Sequence, residues 1–290
     1  MSAPLKDTQA LITGANQGLG LAIAKAFVSA GASVFICARD AGLLEDARGE
    51  LEQLSEAGQQ VAALPADVSS RESVDQLVAA AAERFPQLSV LVSNAGVYGP
   101  KGQIDEVDWD EWVRAIEINL FGSVLPARAL VPHFRENGYG KIVQLSGGGA
   151  TSPLPGLSSY AASKAAVVRF AETLAGELRE HGVDVNALAP GALNTRMLDE
   201  VIAAGPERVG GAFFERALEQ QRSGGTALGR GAELAVFLGS PASDGITGKL
   251  LSAVWDPWAE LPSHIEDLDS DVYTLRRIVP GDRGLDWGEA

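Results

Sequence analysis

The 290-residue sequence predicts a single α/β domain, a doubly wound parallel sheet of seven strands with helices on both faces. Short apolar runs alternate with longer amphipathic stretches, which is the rhythm of strand–helix–strand units. The runs containing Val34 and Ile36, Val90 and Val92, and Ile142 and Val143 are β-branched without polar alternation, as strands buried on both faces require. A chain of this length buries about three quarters of its unfolded surface, so the core needs no disulfide or metal staple.

Taken in order, Ala10–Thr13 is the first candidate strand and Leu19–Ser29 its crossover helix. Ser33–Ala38, a helix over Leu43–Ala57 and Val61–Pro65 repeat the unit. In Asp67-Val68-Ser69-Ser70-Arg71-Glu72 a serine hydroxyl suits a helix N-cap and the early carboxylate suits the helix dipole, placing a helix at Ser70–Arg84. Val90–Ser93 follows, then a long helical stretch Trp109–Glu136, strand Lys141–Leu145, and helix Ser158–His181 stopped by Gly182. Strand Val183–Ala189, helix Gly231–Leu238 and a last strand in Thr247–Val254 complete a domain spanning residues 1–254. Two regions break the rhythm. Asn194–Gly225, rich in glycine and charge, reads as a mobile helical excursion over a site, and the acidic tail Trp255–Ala290 as a surface wrap or oligomer contact.

Charge and composition exclude several classes. Lys and Arg number 23 against 38 Asp and Glu, and a net charge of −15 repels nucleic acid and anionic lipid. No apolar run approaches the length of a membrane span, and the start shows no basic region followed by an apolar stretch. The single cysteine, Cys37, lies mid-strand as a small buried hydrophobe and fits a reducing compartment, so a cytoplasmic protein is expected. His133, His181 and His264 are too scattered to bind a metal, and there is no nucleophile elbow of the Gly-x-Ser-x-Gly kind.

The first turn reads Thr13-Gly14-Ala15-Asn16-Gln17-Gly18-Leu19-Gly20. It sits between a strand and a helix, where glycines allow a tight turn and the helix N-terminus offers N–H groups to a diphosphate. Further on, Tyr160-Ala161-Ala162-Ser163-Lys164 puts a phenol and an ammonium one helical turn apart. A phenol ionises near about pH 10, and an adjacent cation draws it toward neutrality, so the pair suits proton transfer.

With these motifs the chain resembles the short-chain dehydrogenase/reductase family from about Ala10 to Leu250, and so implies a Rossmann fold. The resemblance implies Tyr160 as general acid/base and Lys164 as its modulator and a binder of the nicotinamide ribose. It gives Asn119 a place beside a proton-relay water, where the residue alternatively satisfies a backbone kink. Asn94, Ala95 and Gly96 match the element that steadies the sheet beside the cofactor. The family's catalytic serine falls on Gly147, and Ser146 is one residue early, on the opposite face of a regular strand. The glycines after it permit Ser146 to serve; Thr151, Ser152 or a water are the other candidates. Losing such a donor costs about 10²–10³ in rate.

Cofactor choice is read from Ala38-Arg39-Asp40, where an acidic residue at the strand end would bind the ribose hydroxyls of NAD. Arg39 instead suits the 2′-phosphate of NADP, with Asp40 leaving NAD open. Asp67 and Val68 resemble the adenine contact, and Pro190, Gly191 and Thr195 the nicotinamide loop, joining Gly14, Asn16, Gly18, Leu19 and Gly20 as cofactor residues. The implied activity is oxidoreduction between a secondary alcohol and a ketone, on a small-molecule substrate held against Leu154, Leu157, Leu193 and Met197. The implied assembly is a homodimer or homotetramer. A catalytically weak cofactor-binding protein and a redox-neutral epimerase are the alternatives.

Overall fold

Seven strands, all parallel, pair in the order β3-β2-β1-β4-β5-β6-β7 in the computed structural model, which describes residues 3–288. They are β1 (Gln9–Thr13), β2 (Ser33–Ala38), β3 (Val61–Pro65), β4 (Leu88–Ser93), β5 (Gly140–Leu145), β6 (Val183–Ala189) and β7 (Leu250–Ser252). Successive residues face opposite sides of the sheet, so each strand feeds two cores. Ile12, Ile36 and Val92 join one cluster with Phe27 and Leu234; Leu11, Phe35 and Leu91 join the other with Phe85 and Phe134. The predicted fold class is what forms.

Local chemistry sets the helix limits. Ser70 caps α3 (Arg71–Arg84) through the Ser73 N–H at 3.3 Å, and Asp40 caps α2 (Ala41–Leu54) through the Leu43 N–H at 2.9 Å. That cap starts α2 two residues before the expected Leu43, and α1 (Gly18–Ser29) opens directly on the glycine turn. The stretch expected as one helix over Trp109–Glu136 is α4 (Trp109–Ile116), a π-helical turn Glu117–Phe121 and α5 (Gly122–Asn137). Behind β5, α6 (Ser158–Leu178) continues into a 3₁₀ turn, Arg179–His181, closed by Gly182 at φ 66°. The last strand is shorter than expected because Gly248, at φ +73°, turns the chain just before it.

The excursion between β6 and α10 (Leu228–Leu238) is three short helices, α7 (Arg196–Ala204), α8 (Pro206–Val209) and α9 (Gly211–Ser223). They hold together through a small separate cluster of Leu198, Val201, Val209 and Ala217. The tail folds back along the sheet edge. The Leu250 N–H donates to the Tyr273 carbonyl at 2.8 Å, and the Lys249 ammonium donates to the carbonyls of Ser270 and Val272 at 2.9 and 3.0 Å. Leu261 and Leu268 of the tail reach the main core. Among the described residues no helix is long and apolar enough to cross a membrane, and no three His, Cys, Asp or Glu side chains cluster as a metal site.

Candidate active site

Strand order reverses beside β1, where β4 lies on one side and β2 on the other, and there the loops at the strands' carboxyl ends diverge. A cleft of about 1690 Å³ opens at this point. The residues singled out above as cofactor-binding or catalytic line it, except Asn119 and the alternative Ser152, and Leu157, expected against the substrate, is instead buried in the protein interior.

The glycine turn is shaped by what cannot fit. Gly14 has φ +63°, and a β-carbon on it would approach Ala95 Cα to 2.7 Å. One on Gly20 would lie 2.1 Å from the Gly14 carbonyl oxygen and 2.4 Å from Asn94 Nδ2. Asn94 fixes that approach: its amide donates to the carbonyls of Thr13 and Gly14, both at 3.0 Å. Thr13 Oγ1 in return accepts from the N–H groups of Asn94 and Ala95 at 3.0 and 3.2 Å. Gln17, the N-cap of α1, gives no side-chain cap, so the first N–H groups of the helix are left for an anion at the cleft wall. Thr195 reaches over the same turn, its Cγ2 3.7 Å from a β-carbon on Gly18. A dinucleotide diphosphate fits this cradle.

Arg39 and Asp40 are both exposed at the end of β2 and both line the cleft, where one oxygen of the Asp40 carboxylate also caps α2. Asp67 is tied down at the cleft wall. Its carboxylate accepts from the Ser69 N–H and hydroxyl at 3.0 and 2.6 Å and from Arg114 at 2.6 Å. Partial burial opposes ionisation, yet these hydrogen bonds hold the carboxyl below its ordinary range.

Tyr160 and Lys164 share a face of α6, with the ammonium 5.8 Å from the phenol ring centroid. Both are nearly inaccessible, at 7% and 4% exposure. Lys164 donates to the Leu145 carbonyl at 2.7 Å, and burial lowers it to about 8, so at neutral pH it still carries its proton. The phenol moves the other way from the sequence expectation. Burial pushes Tyr160 well above its usual value, and the neighbouring Tyr98 hydroxyl adds to the rise. Excluding water from a phenolate costs more than a cation 5.8 Å from the ring centre returns.

Asn119 sits in the π-helical turn, fully buried behind Gly96. Its amide donates to the Val97 carbonyl and the Ser163 hydroxyl, both at 2.9 Å, and its oxygen accepts from the Val97 N–H at 2.8 Å. It therefore holds the Asn-Ala-Gly loop in place and does not reach the cleft. Ser146 remains in register with β6 through its N–H to the Leu188 carbonyl at 2.8 Å, and its buried hydroxyl finds no partner among the described residues. Cys37 is sealed in the core, its thiol pushed up to about 12 by burial.

Sequence reasoning gave no role to Tyr98, which lines the cleft. Tyr98 packs its ring edge-on against Tyr160, centroids 4.7 Å apart at 69°. Its position just after the Asn-Ala-Gly loop was the available signal. Arg216 on α9 also lines the cleft without a local sequence signal, and Trp255, 83% exposed and read from sequence as packing, interface or the pocket of a neighbouring subunit, lines the cleft of its own chain.

Comparison with known proteins supplies the lineage. A profile of the short chain dehydrogenase family matches residues 8–205. The short-chain reductase protein NovJ of Streptomyces niveus is 33% identical over 248 residues, covering 84% of this chain and 91% of that one. The 3beta-hydroxysteroid dehydrogenase 1 of Eggerthella lenta is 38% identical over 200 residues, covering 69% and 76%. Among solved structures, an actinorhodin polyketide ketoreductase variant with NADPH superposes with a TM-score of 0.76 at 31% identity, covering 87% of this chain and 97% of the other. With its parallel sheet, glycine cradle and buried Tyr–Lys pair, the chain belongs to the short-chain dehydrogenase family.

Proposed function

We propose that this protein is an NADP(H)-dependent oxidoreductase interconverting a secondary alcohol and a ketone, with Tyr160 exchanging the proton of the substrate oxygen. The observation that carries the reading is the convergence of the Tyr160–Lys164 pair and the glycine cradle on one cleft. A reduced nicotinamide bound there supplies the hydride, and the protein's own part is the proton. Tyr160 holds that proton in a dry niche, and the Lys164 cation stabilises the phenolate left after transfer. Arg39 provides the charge for a 2′-phosphate, and one oxygen of the neighbouring Asp40 is drawn to the start of α2. Similar solved structures include one with NADPH and one bound to NAD+, so the choice of NADP(H) rests on Arg39.

Substrate size follows from the cleft, which exceeds the roughly 300–1,000 Å³ of a single small-ligand site and so accommodates a dinucleotide with a bulky partner. Leu154, Leu193, Met197 and Phe213 make the far wall apolar. The hydroxysteroid dehydrogenase and polyketide ketoreductase relatives act on bulky frameworks of the kind such a wall would bind.

The test is oxidation of NADPH against a panel of hydroxysteroid-derived, polycyclic and aryl ketones, with Tyr160→Phe alongside the wild type. Turnover falling about 10²–10⁴-fold in the variant with NADPH binding retained is the expected result. Unchanged turnover would remove Tyr160 from the chemistry. The absence of serine at Gly147 favours a second reading, a protein that binds the dinucleotide with little catalysis; NADPH binding without turnover of any ketone would select it.

A further inference from the structure

Gly147 lies thirteen residues before Tyr160, at the position where the family resemblance places a serine. The structure shows more there than a missing hydroxyl. A β-carbon built on Gly147 would stand 2.2 Å from the Tyr160 hydroxyl oxygen and 3.1 Å from its Cζ, and its three nearest atoms all belong to Tyr160. The phenol oxygen occupies the room a side chain at 147 would need. Two residues on, Gly149 has φ +92°, and a β-carbon there would come within 2.8 Å of Ala161 Cβ and 2.9 Å of Ala161 Cα. Between them, Gly148 meets nothing within 4 Å. The loop after β5 is therefore pressed onto the first turns of α6 at alternate residues, and glycine is demanded where the helix touches. On its other side the phenol meets the edge-on ring of Tyr98.

We propose that Gly147 is a positioning residue: by lacking a side chain it lets the loop and α6 close together, seating the Tyr160 hydroxyl in the niche a serine would fill. Position 147 then brings no hydroxyl of its own to the substrate oxygen, and the phenol takes the space. Restoring the serine does not add a donor to this site; it evicts the existing one. Displacing a reacting group by about 1 Å costs on the order of 100-fold in rate. This inference rests on the reading of Tyr160 as the proton-exchanging residue.

The experiment compares Gly147→Ser and Gly147→Ala, each with Tyr160 and with Tyr160→Phe, using the full chain loaded with NADPH. Steady-state rates on a ketone from the active panel are expected to drop about 10- to 100-fold in kcat for both single variants. KM and the NADPH dissociation constant should change less than about threefold, and the pH profile of kcat should shift with the displaced phenol. A serine variant faster than wild type, or an alanine defect rescued by serine, would overturn the proposal. Thermal denaturation supplies an arm independent of turnover. If the contact is real, either substitution at 147 lowers the melting temperature in the Tyr160 background and lowers it less beside Tyr160→Phe. Equal losses in both backgrounds would also overturn it. A wild type that binds NADPH and turns over no ketone would defeat the proposed activity and leave this coupling measurable.

Discussion

The two walls of the cleft are built on opposite plans. The wall of the glycine turn is made of backbone brought together too closely for side chains, cross-tied by Asn94 and Thr13 and continuous with the core of the sheet. The wall of α7–α9 is three short helices around four buried apolar residues, with a core of its own. A diphosphate is the same in every dinucleotide, so a rigid cradle serves it. An excursion with a small separate core can open and repack at little cost to the sheet, because regions with few buried contacts open locally at lower free energy than the whole.

Breaking the first plan should give the largest effect. Gly20→Ala puts a methyl 2.1 Å from the Gly14 carbonyl, which cannot withdraw without unthreading the turn. Overpacking of this kind costs about 1–3 kcal/mol or more. NADPH affinity measured by fluorescence titration should fall at least about 100-fold, since the N–H groups lose their aim. Retained affinity would show that the turn is looser than its geometry.

A middle-sized effect is expected at the rim of the same wall. Arg39→Ala removes an exposed charge, so the fold should be little affected. A charge-assisted contact is worth about 1.5–3 kcal/mol, and NADP(H) binding should weaken roughly 10- to 100-fold with NAD(H) binding unchanged. Equal weakening of both cofactors would place Arg39 elsewhere than at the 2′-phosphate.

The smallest effect sharpens the other half of the contrast. Val201→Ala empties part of the excursion's core and should cost about 1–2 kcal/mol, felt locally. Amide exchange should quicken across residues 196–223, and KM for the ketone should rise a fewfold. The melting temperature should move by less than about 2 °C. A large drop in the melting temperature would mean that the excursion and the sheet unfold as one.

Legibility in the sequence divided along the same line. Strand limits at Ser33–Ala38, Val61–Pro65 and Val183–Ala189 agree between pattern and structure, and Ser33–Ala38 shows why: a strand buried on both faces reads as a near-continuous apolar run. The Ser70 cap and the Gly182 stop were equally readable, each being chemistry within one turn. The π-helical turn at Asn119 was not, since it arises from a pull by Val97, twenty-two residues away. The direction of the Tyr160 shift was misread for a related reason: spacing shows the cation but not how far the phenol is cut off from water. The close approach at Gly147 was hidden as well, because sequence records an absent side chain without saying which atom has moved into the space.

The tail along β7 bears on how the chain is made. A ribosome releases residues in order, and β7 completes the sheet while Tyr273 is still to emerge. For that interval the outermost strand presents unpaired N–H and C=O groups, the template on which foreign strands add. A message ending between Ser252 and Tyr273 would therefore leave that margin uncovered, and its shorter products would also lack Leu261 and Leu268 of the main core, so such chains should clump during synthesis.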